Sequence, residues 1–340
     1  MKISAPIIPV SEPSCQLKSW KRELKNALSN VDDLLNYVEI NRETVAHLIV
    51  EDSEFKVRVP LSYADKIEKG NIFDPLLQQV LPKIEETQKK AGFVKDPLNE
   101  QKTETTCLLH KYHGRALLMI AGTCAVNCRY CFRRHFPYPQ HRFDSKAQAL
   151  AIDYIAKDDT ISEVILSGGD PLMLQDQAIG ILITELEKIT HIRRLRIHTR
   201  LPVMIASRLT IELAKRLSDS RFSVSLVLHV NHANEIDQEL ADQLRIYSSL
   251  GITILNQSVL LKNVNASSIV LSKLSEKLFE VGVLPYYLHL LDPVEGASHF
   301  NVDKSTAIQI MKDVTAYLPG YLVPKLVQEI SGEYSKIAIF

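Results

Sequence analysis

From residue 115 onward the chain alternates short apolar runs rich in branched residues with longer amphipathic stretches, and few folds accept that order. The apolar runs are ALLMIAG, SEVILSG, LRIHTR, FSVSLVLHV, GITILNQ and VLPYYLHL, each of strand length. Between them lie SKAQALAIDYIAKD, QAIGILITELEKI, TIELAKRLSD, NEIDQELADQLRIYSSL and SSIVLSKLSEKLFEV, whose apolar residues recur at helical spacing. A strand that reaches a parallel neighbour through a helix crosses over with one hand, so six such units predict an α/β fold, a partial (β/α)6 barrel. Its binding face is expected at the loops that follow the carboxyl ends of the strands.

The rest of the chain divides around that core. Residues 1–110 read as a mostly helical region, with pieces such as LKSWKRELKNALSNVDDLLNY interrupted by Pro75, Pro82, Gly92 and Pro97. Residues 111–301 form the expected barrel, and 302–340 a short C-terminal extension with one helix, KSTAIQIMKDVTAYL, and a tail. With 340 residues, 46% of them hydrophobic, one large core is affordable. Forty basic and forty acidic residues cancel, which favours a small-molecule substrate over nucleic acid or an anionic membrane. Pro6 and Pro9 interrupt the only apolar stretch at the amino terminus, and no run of about 18 apolar residues follows, so a cytoplasmic location is expected.

Three of the five cysteines, Cys124, Cys128 and Cys131, crowd into GTCAVNCRYCFRRHF directly after the first of the six strands. That pattern suits metal ligation in a reducing compartment better than a disulfide framework. Three thiolates at CxxxCxxC spacing can hold three irons of a [4Fe–4S] cubane and leave the fourth open to a chelating molecule. A structural zinc site would need a fourth ligand, for which His135 is the candidate, but such sites usually split their ligands into separated pairs. Cys15 and Cys107 stand apart and read as ordinary small hydrophobes or surface thiols.

With Tyr130 before the third cysteine, this loop resembles the radical S-adenosylmethionine superfamily, and SGGDPL resembles its glycine motif. The resemblance implies that S-adenosylmethionine chelates the open iron and is cleaved to a 5′-deoxyadenosyl radical. It places Tyr130 beside the adenine, and Ser167, Gly168, Gly169 and Asp170 at the methionyl end. CRYCFRRHF, HTRLPV, HVNHANE, NQSVLLKNVN and PYYLHLLDPVEGASHF further resemble lysine 2,3-aminomutases, and the short tail is most like the bacterial subgroup that makes (R)-β-lysine for elongation factor P. No cysteine follows Cys131, so the zinc-binding tail of the longer clostridial type is not expected.

What the family resemblance implies is an isomerase that moves the amino group of L-lysine from C2 to C3. Its second cofactor is pyridoxal 5′-phosphate, and the position of SGEYSK makes Lys336 the Schiff-base lysine, expected in a partly desolvated pocket with a lowered pKa. Lys111, Arg115 and His229 fall at cofactor-contacting positions, and Arg133 at the arginine that grips the substrate carboxylate. Asp292 and Glu329 fall where the family binds the side-chain ammonium; Glu329 stands where an aspartate is usual. The implied partners are a reductant such as flavodoxin or ferredoxin, and elongation factor P with its lysyl-ligase; a homo-oligomer is left open. Another radical aminomutase, a radical enzyme without pyridoxal, and a non-catalytic iron–sulfur module are the alternatives.

Overall fold

The computed structural model describes residues 20–50, 53–101 and 107–340; Cys15 and the first residues of the amino-terminal helical stretch lie outside them. The six expected strands are present: β2 (Arg115–Ala121), β3 (Glu163–Gly168), β4 (Arg194–Thr199), β5 (Ser223–Leu228), β6 (Thr253–Val259) and β7 (Leu284–His289), each parallel to the next. Strand β3 is buried at every residue, as a parallel strand covered on both faces must be, and this is why it reads as an unbroken apolar run. Helices α1 (Ser145–Lys157), α2 (Asp176–Glu187), α3 (Ile211–Ser218), α4 (Gln238–Ser249) and α5 (Ser268–Glu280) fill the crossovers. Ile179, Leu182, Ile183 and Leu186 form the buried stripe of α2. Asp144, Thr210 and Asp237 cap α1, α3 and α4 by accepting from backbone N–H groups of their first turns.

The sheet is larger than the six runs predicted. β1 (Leu108–Tyr112) pairs antiparallel with β2 across a tight turn in which Gly114 takes φ +75°. After α6 (Lys304–Tyr317), β8 (Lys325–Gln328) adds a seventh parallel strand beside β7, and β9 (Ile337–Ala338) turns back antiparallel on β8. Read as a tail, residues 325–338 instead complete the sheet, where Leu326 packs into the second core with residues of α6 and β7. The strand order runs from β1 to β9 without closure, so the barrel is partial.

Among the described residues the amino-terminal region holds helical residues 20–25 and the short helices Val31–Tyr37, Arg42–Val45 and Leu61–Ala64, with turns between them. Leu34, Leu35, Val59, Leu77 and Leu81 join the same hydrophobic cluster as Leu118, Val164 and Ile197 of the barrel. This region therefore packs over one side of the strand ends. No helix among the described residues is long and apolar enough to cross a membrane. Cys107 is a buried free thiol among Leu109, Met119 and Phe136, and burial pushes it up to about 11, which fits an inert small hydrophobe.

Candidate active site

A cavity of about 720 Å³ opens at the carboxyl ends of the strands, and every site residue expected from the sequence lines it. Cys124, Cys128 and Cys131 belong to the loop leaving β2, and the thiols of that loop do not hold it in place; arginines do. Arg129, fully buried, makes two bonds to Glu86 (2.7 and 2.5 Å) and donates to Phe55 O and Ser53 Oγ. Arg134 donates to the same carboxylate and to Gly296 O, while Arg58 donates to Cys124 O at 2.9 Å. Burial raises all three thiols, Cys131 to about 11, although Arg200 and Tyr130 offset part of the rise at Cys128. A metal centre that takes them as thiolates must displace their protons.

The donor set separates the two metal readings. Among the described residues no three His, Cys, Asp or Glu side chains converge on a single ion. Nε2 of His135 lies 3.1 Å from Glu295 O and donates to it, and His135 is not among the residues that line the cavity with the three thiols. A cubane asks instead for one thiolate on each of three irons, which three thiols along one cavity wall supply.

SGGDPL follows β3 and folds against the start of the cysteine loop. Gly169 N donates to Ala121 O (2.7 Å) and Asp170 N to Thr123 O (2.9 Å). A Cβ on Gly168, at φ +123°, would lie 2.5 Å from Ala121 O, and one on Gly169 2.4 Å from Thr123 O. The space these glycines leave is filled by the protein's own backbone. Asp170 is buried with both oxygens in use, accepting from Leu172 N and Thr199 Oγ1 on one side and from Arg200 N and Leu201 N on the other. It ties the loop after β3 to the loop after β4, and Ser167 Oγ stands 3.4 Å from Arg133.

Across the cavity runs a string of alternating charges. Arg133 Nε donates to Glu100 at 2.7 Å and its Nη1 to Gly168 O at 2.9 Å. Burial would lower Arg133, but Glu100 outweighs it and holds the guanidinium charged. Glu100 also accepts from Lys111 (2.8 Å), which reaches Glu329 at 3.4 Å, and Glu329 takes Lys336 at 2.5 Å. Lys336 is thus partly desolvated, and its ammonium meets a carboxylate there. Burial pushes Glu329 up, yet Lys336 and Lys111 hold it down at about 2. Asp292, after β7, accepts no side-chain hydrogen bond in this string; burial, with Glu329 beside it, raises it to about 7. Arg115 Nε is buried without a hydrogen-bond partner, its guanidinium 4.8 Å over the Tyr112 ring, which leaves an unsatisfied cation for an anionic group such as a phosphate.

Several cavity residues were not singled out in the sequence. His198 on β4 and His289 on β7 flank His229, and Nε2 of each is buried without a partner. Burial, with Lys336 beside one and Arg200 beside the other, pulls His289 and His229 down to about 3, so both imidazoles are neutral near pH 7. His229 Nε2 lies 2.8 Å from the Gln257 amide. Asn231 donates to Tyr130 OH at 2.7 Å and to Gln79, which also receives Arg200 at 2.9 Å. HTR and HVN, at the ends of two predicted strands, were the available signal for His198, Arg200 and Asn231, since polar residues at strand ends face the binding side of such a barrel. Nothing local marks Gln79 or Glu100.

The family model for the radical SAM superfamily matches residues 118–268, from β2 to the start of α5. Over 335 residues the chain is 46% identical to the L-lysine 2,3-aminomutase of Escherichia coli, covering 98% of this chain and 97% of that one. It is 47% identical to the Haemophilus influenzae enzyme of the same name over 331 residues (97% and 98% covered), and 32% identical to that of Clostridium subterminale over 327 residues (94% and 77% covered). With the thiol loop, the partial barrel and near full-length identity in agreement, the chain belongs to the lysine 2,3-aminomutase family of radical SAM enzymes.

Proposed function

We propose that this protein isomerises L-lysine to (R)-β-lysine, moving the amino group from C2 to C3. The observation that carries the proposal is that one cavity holds two carboxylates, Asp292 and Glu329, together with a buried guanidinium, Arg133. An amino acid with a cationic side chain meets opposite charge at both ends, whereas an acidic one would face Asp292 and Glu329 with like charge. When bound, the [4Fe–4S] cluster on Cys124, Cys128 and Cys131 with S-adenosylmethionine supplies the radical, and pyridoxal 5′-phosphate on Lys336 supplies the π system that eases nitrogen migration.

The chain's own residues bind, orient and exclude water. Arg133 keeps its Nη2 edge for the α-carboxylate once Nε and Nη1 are committed to Glu100 and Gly168. Arg115 neutralises the cofactor phosphate, with Lys111 shared between two acids at its side. Tyr130, fixed by Asn231, offers the adenine a flat apolar wall, and Asp170 holds the glycine loop that borders the methionyl end. His229, His198 and His289 remain neutral and add hydrogen-bonding groups without adding charge. A low-potential iron–sulfur or flavin protein supplies the electron, and the product serves a ligase that loads elongation factor P.

Anaerobic incubation of the reconstituted protein with L-lysine, S-adenosylmethionine and a reductant, followed by chiral analysis, is expected to yield (R)-β-lysine; turnover of another amino acid in place of lysine would defeat the substrate assignment. The acid pair adds a pH signature. Asp292 ionises near pH 7 while the lysine side chain stays cationic, so kcat/KM for lysine is expected to rise between about pH 6 and 8. Asp292→Asn is expected to flatten that rise and to raise KM by about tenfold, the loss of one charge-assisted contact. A rise of unchanged midpoint in Asp292→Asn would assign it to another group.

A further inference from the structure

We propose that Glu100 is a positioning residue of this site, acting through Arg133 on the carboxylate of the substrate. The inference rests on the reading of Arg133 given above. Glu100 comes from outside the barrel, in a strap over residues 94–101, and lines the cavity. The strap is stitched to the loop after β7, where Val94 N donates to Pro293 O and Glu295 N returns to Val94 O. Asn99, at φ +52°, donates to Ser331 in the segment between Glu329 and Lys336. Asp96 accepts from the N–H groups of Glu100 and Gln101, closing the turn that points the Glu100 side chain inward, where it is 4% exposed.

A carboxylate that deep would be costly without partners, and Glu100 has two, one on each oxygen. Oε2 takes Arg133 Nε at 2.7 Å, and Oε1 takes Lys111 Nζ at 2.8 Å. The first contact decides what Arg133 can do. A guanidinium is planar, so two bonds in different directions, to Glu100 and to Gly168 O, fix its plane and leave the Nη2 edge for an anion. With Gly168 O alone the group could pivot about one bond, and the orientation that aims Nη2 at the anion would be one among several. The second contact keeps Lys111 from closing fully on Glu329, which Lys111 reaches only at 3.4 Å. One buried acid therefore sets the carboxylate end directly and moderates the acidic end through Lys111.

A positioning role predicts a KM effect with a specific dependence on Arg133. In the holoenzyme, Glu100→Gln is expected to raise KM for L-lysine about tenfold with kcat within about threefold. Glu100→Asp keeps the charge but withdraws it by one methylene, and its KM is expected to fall between those two. In an Arg133→Lys background, where no planar fork remains to be aimed, Glu100→Gln is expected to add less than about threefold. Full additivity in that background, or a loss of kcat at unchanged KM, would overturn the proposal. Where Glu100→Gln fails to fold, the aspartate variant decides: a wild-type KM there overturns the proposal and a raised one supports it. A wild-type enzyme that does not turn over lysine defeats the parent reading, and this inference falls with it.

Discussion

Cys128→Ala is expected to lower lysine turnover by at least about four orders of magnitude while leaving a folded protein. The first half follows from ligand count: a cubane held by three thiolates loses one iron ligand, and the radical chemistry loses its source. The second half follows from how the loop is anchored. Glu86, Phe55 O and Ser53 hold Arg129, Gly296 O holds Arg134, and Gln79 O accepts from Arg129 N, none of which involves a thiol. Iron content, the broad visible absorbance of the cluster and circular dichroism measured on the same preparation separate the two effects. Full turnover in the alanine variant would remove the cluster from the reaction.

The second large effect belongs to Lys336. Lys336→Ala is expected to abolish the absorbance near 420 nm (about where protonated imines of the cofactor absorb) and to cost about three orders of magnitude or more in kcat. The electrostatic consequence is as specific as the covalent one. Lys336 is the nearer of the two cations that hold Glu329 down at about 2. Without it, Lys111 at 3.4 Å is the cation left beside Glu329, and two carboxylates such as Glu329 and Asp292 in one cavity resist ionising together. The midpoint of lysine binding is therefore expected to move to higher pH in the variant, and external amines that restore charge without restoring the covalent link are expected to lower it again. A 420 nm band that survives in Lys336→Ala would assign the attachment to another lysine.

Much of this arrangement was legible before any coordinates. Six strands appeared as short runs rich in branched residues between helical stretches; β3, EVILSG, buried at every residue, is the plainest case, while β4 and β6 alternate buried and more open positions. β1 and β8 escaped because they are five- and four-residue segments toward the ends of the sheet, carrying Lys111 and Lys325 among their apolar residues. Their recovery matters for the site: β8 ends one residue before Glu329, and β9 begins one residue after Lys336, so the turn between two short strands presents both to the cavity. The glycines of SGGDPL were legible as a motif, and the structure adds that a Cβ on either would meet backbone of Ala121 or Thr123.

What the sequence determined by itself is local: the three thiols within eight residues, the order of strands and helices, and the strand ends on which Tyr130, His229 and Asp292 are carried. What only the tertiary structure decided is which charge answers which. Arg133 and Glu100 lie 33 residues apart, Lys111 and Glu329 218 apart, and no periodicity links such positions. They meet because the parallel sheet brings the loops after β2 and β8, with Arg133 and Glu329, to one cavity, which antiparallel β1 lines with Lys111 and the segment before it with Glu100. Inside that cavity water no longer screens the groups, so each buried cation must find its acid among whatever the fold delivers.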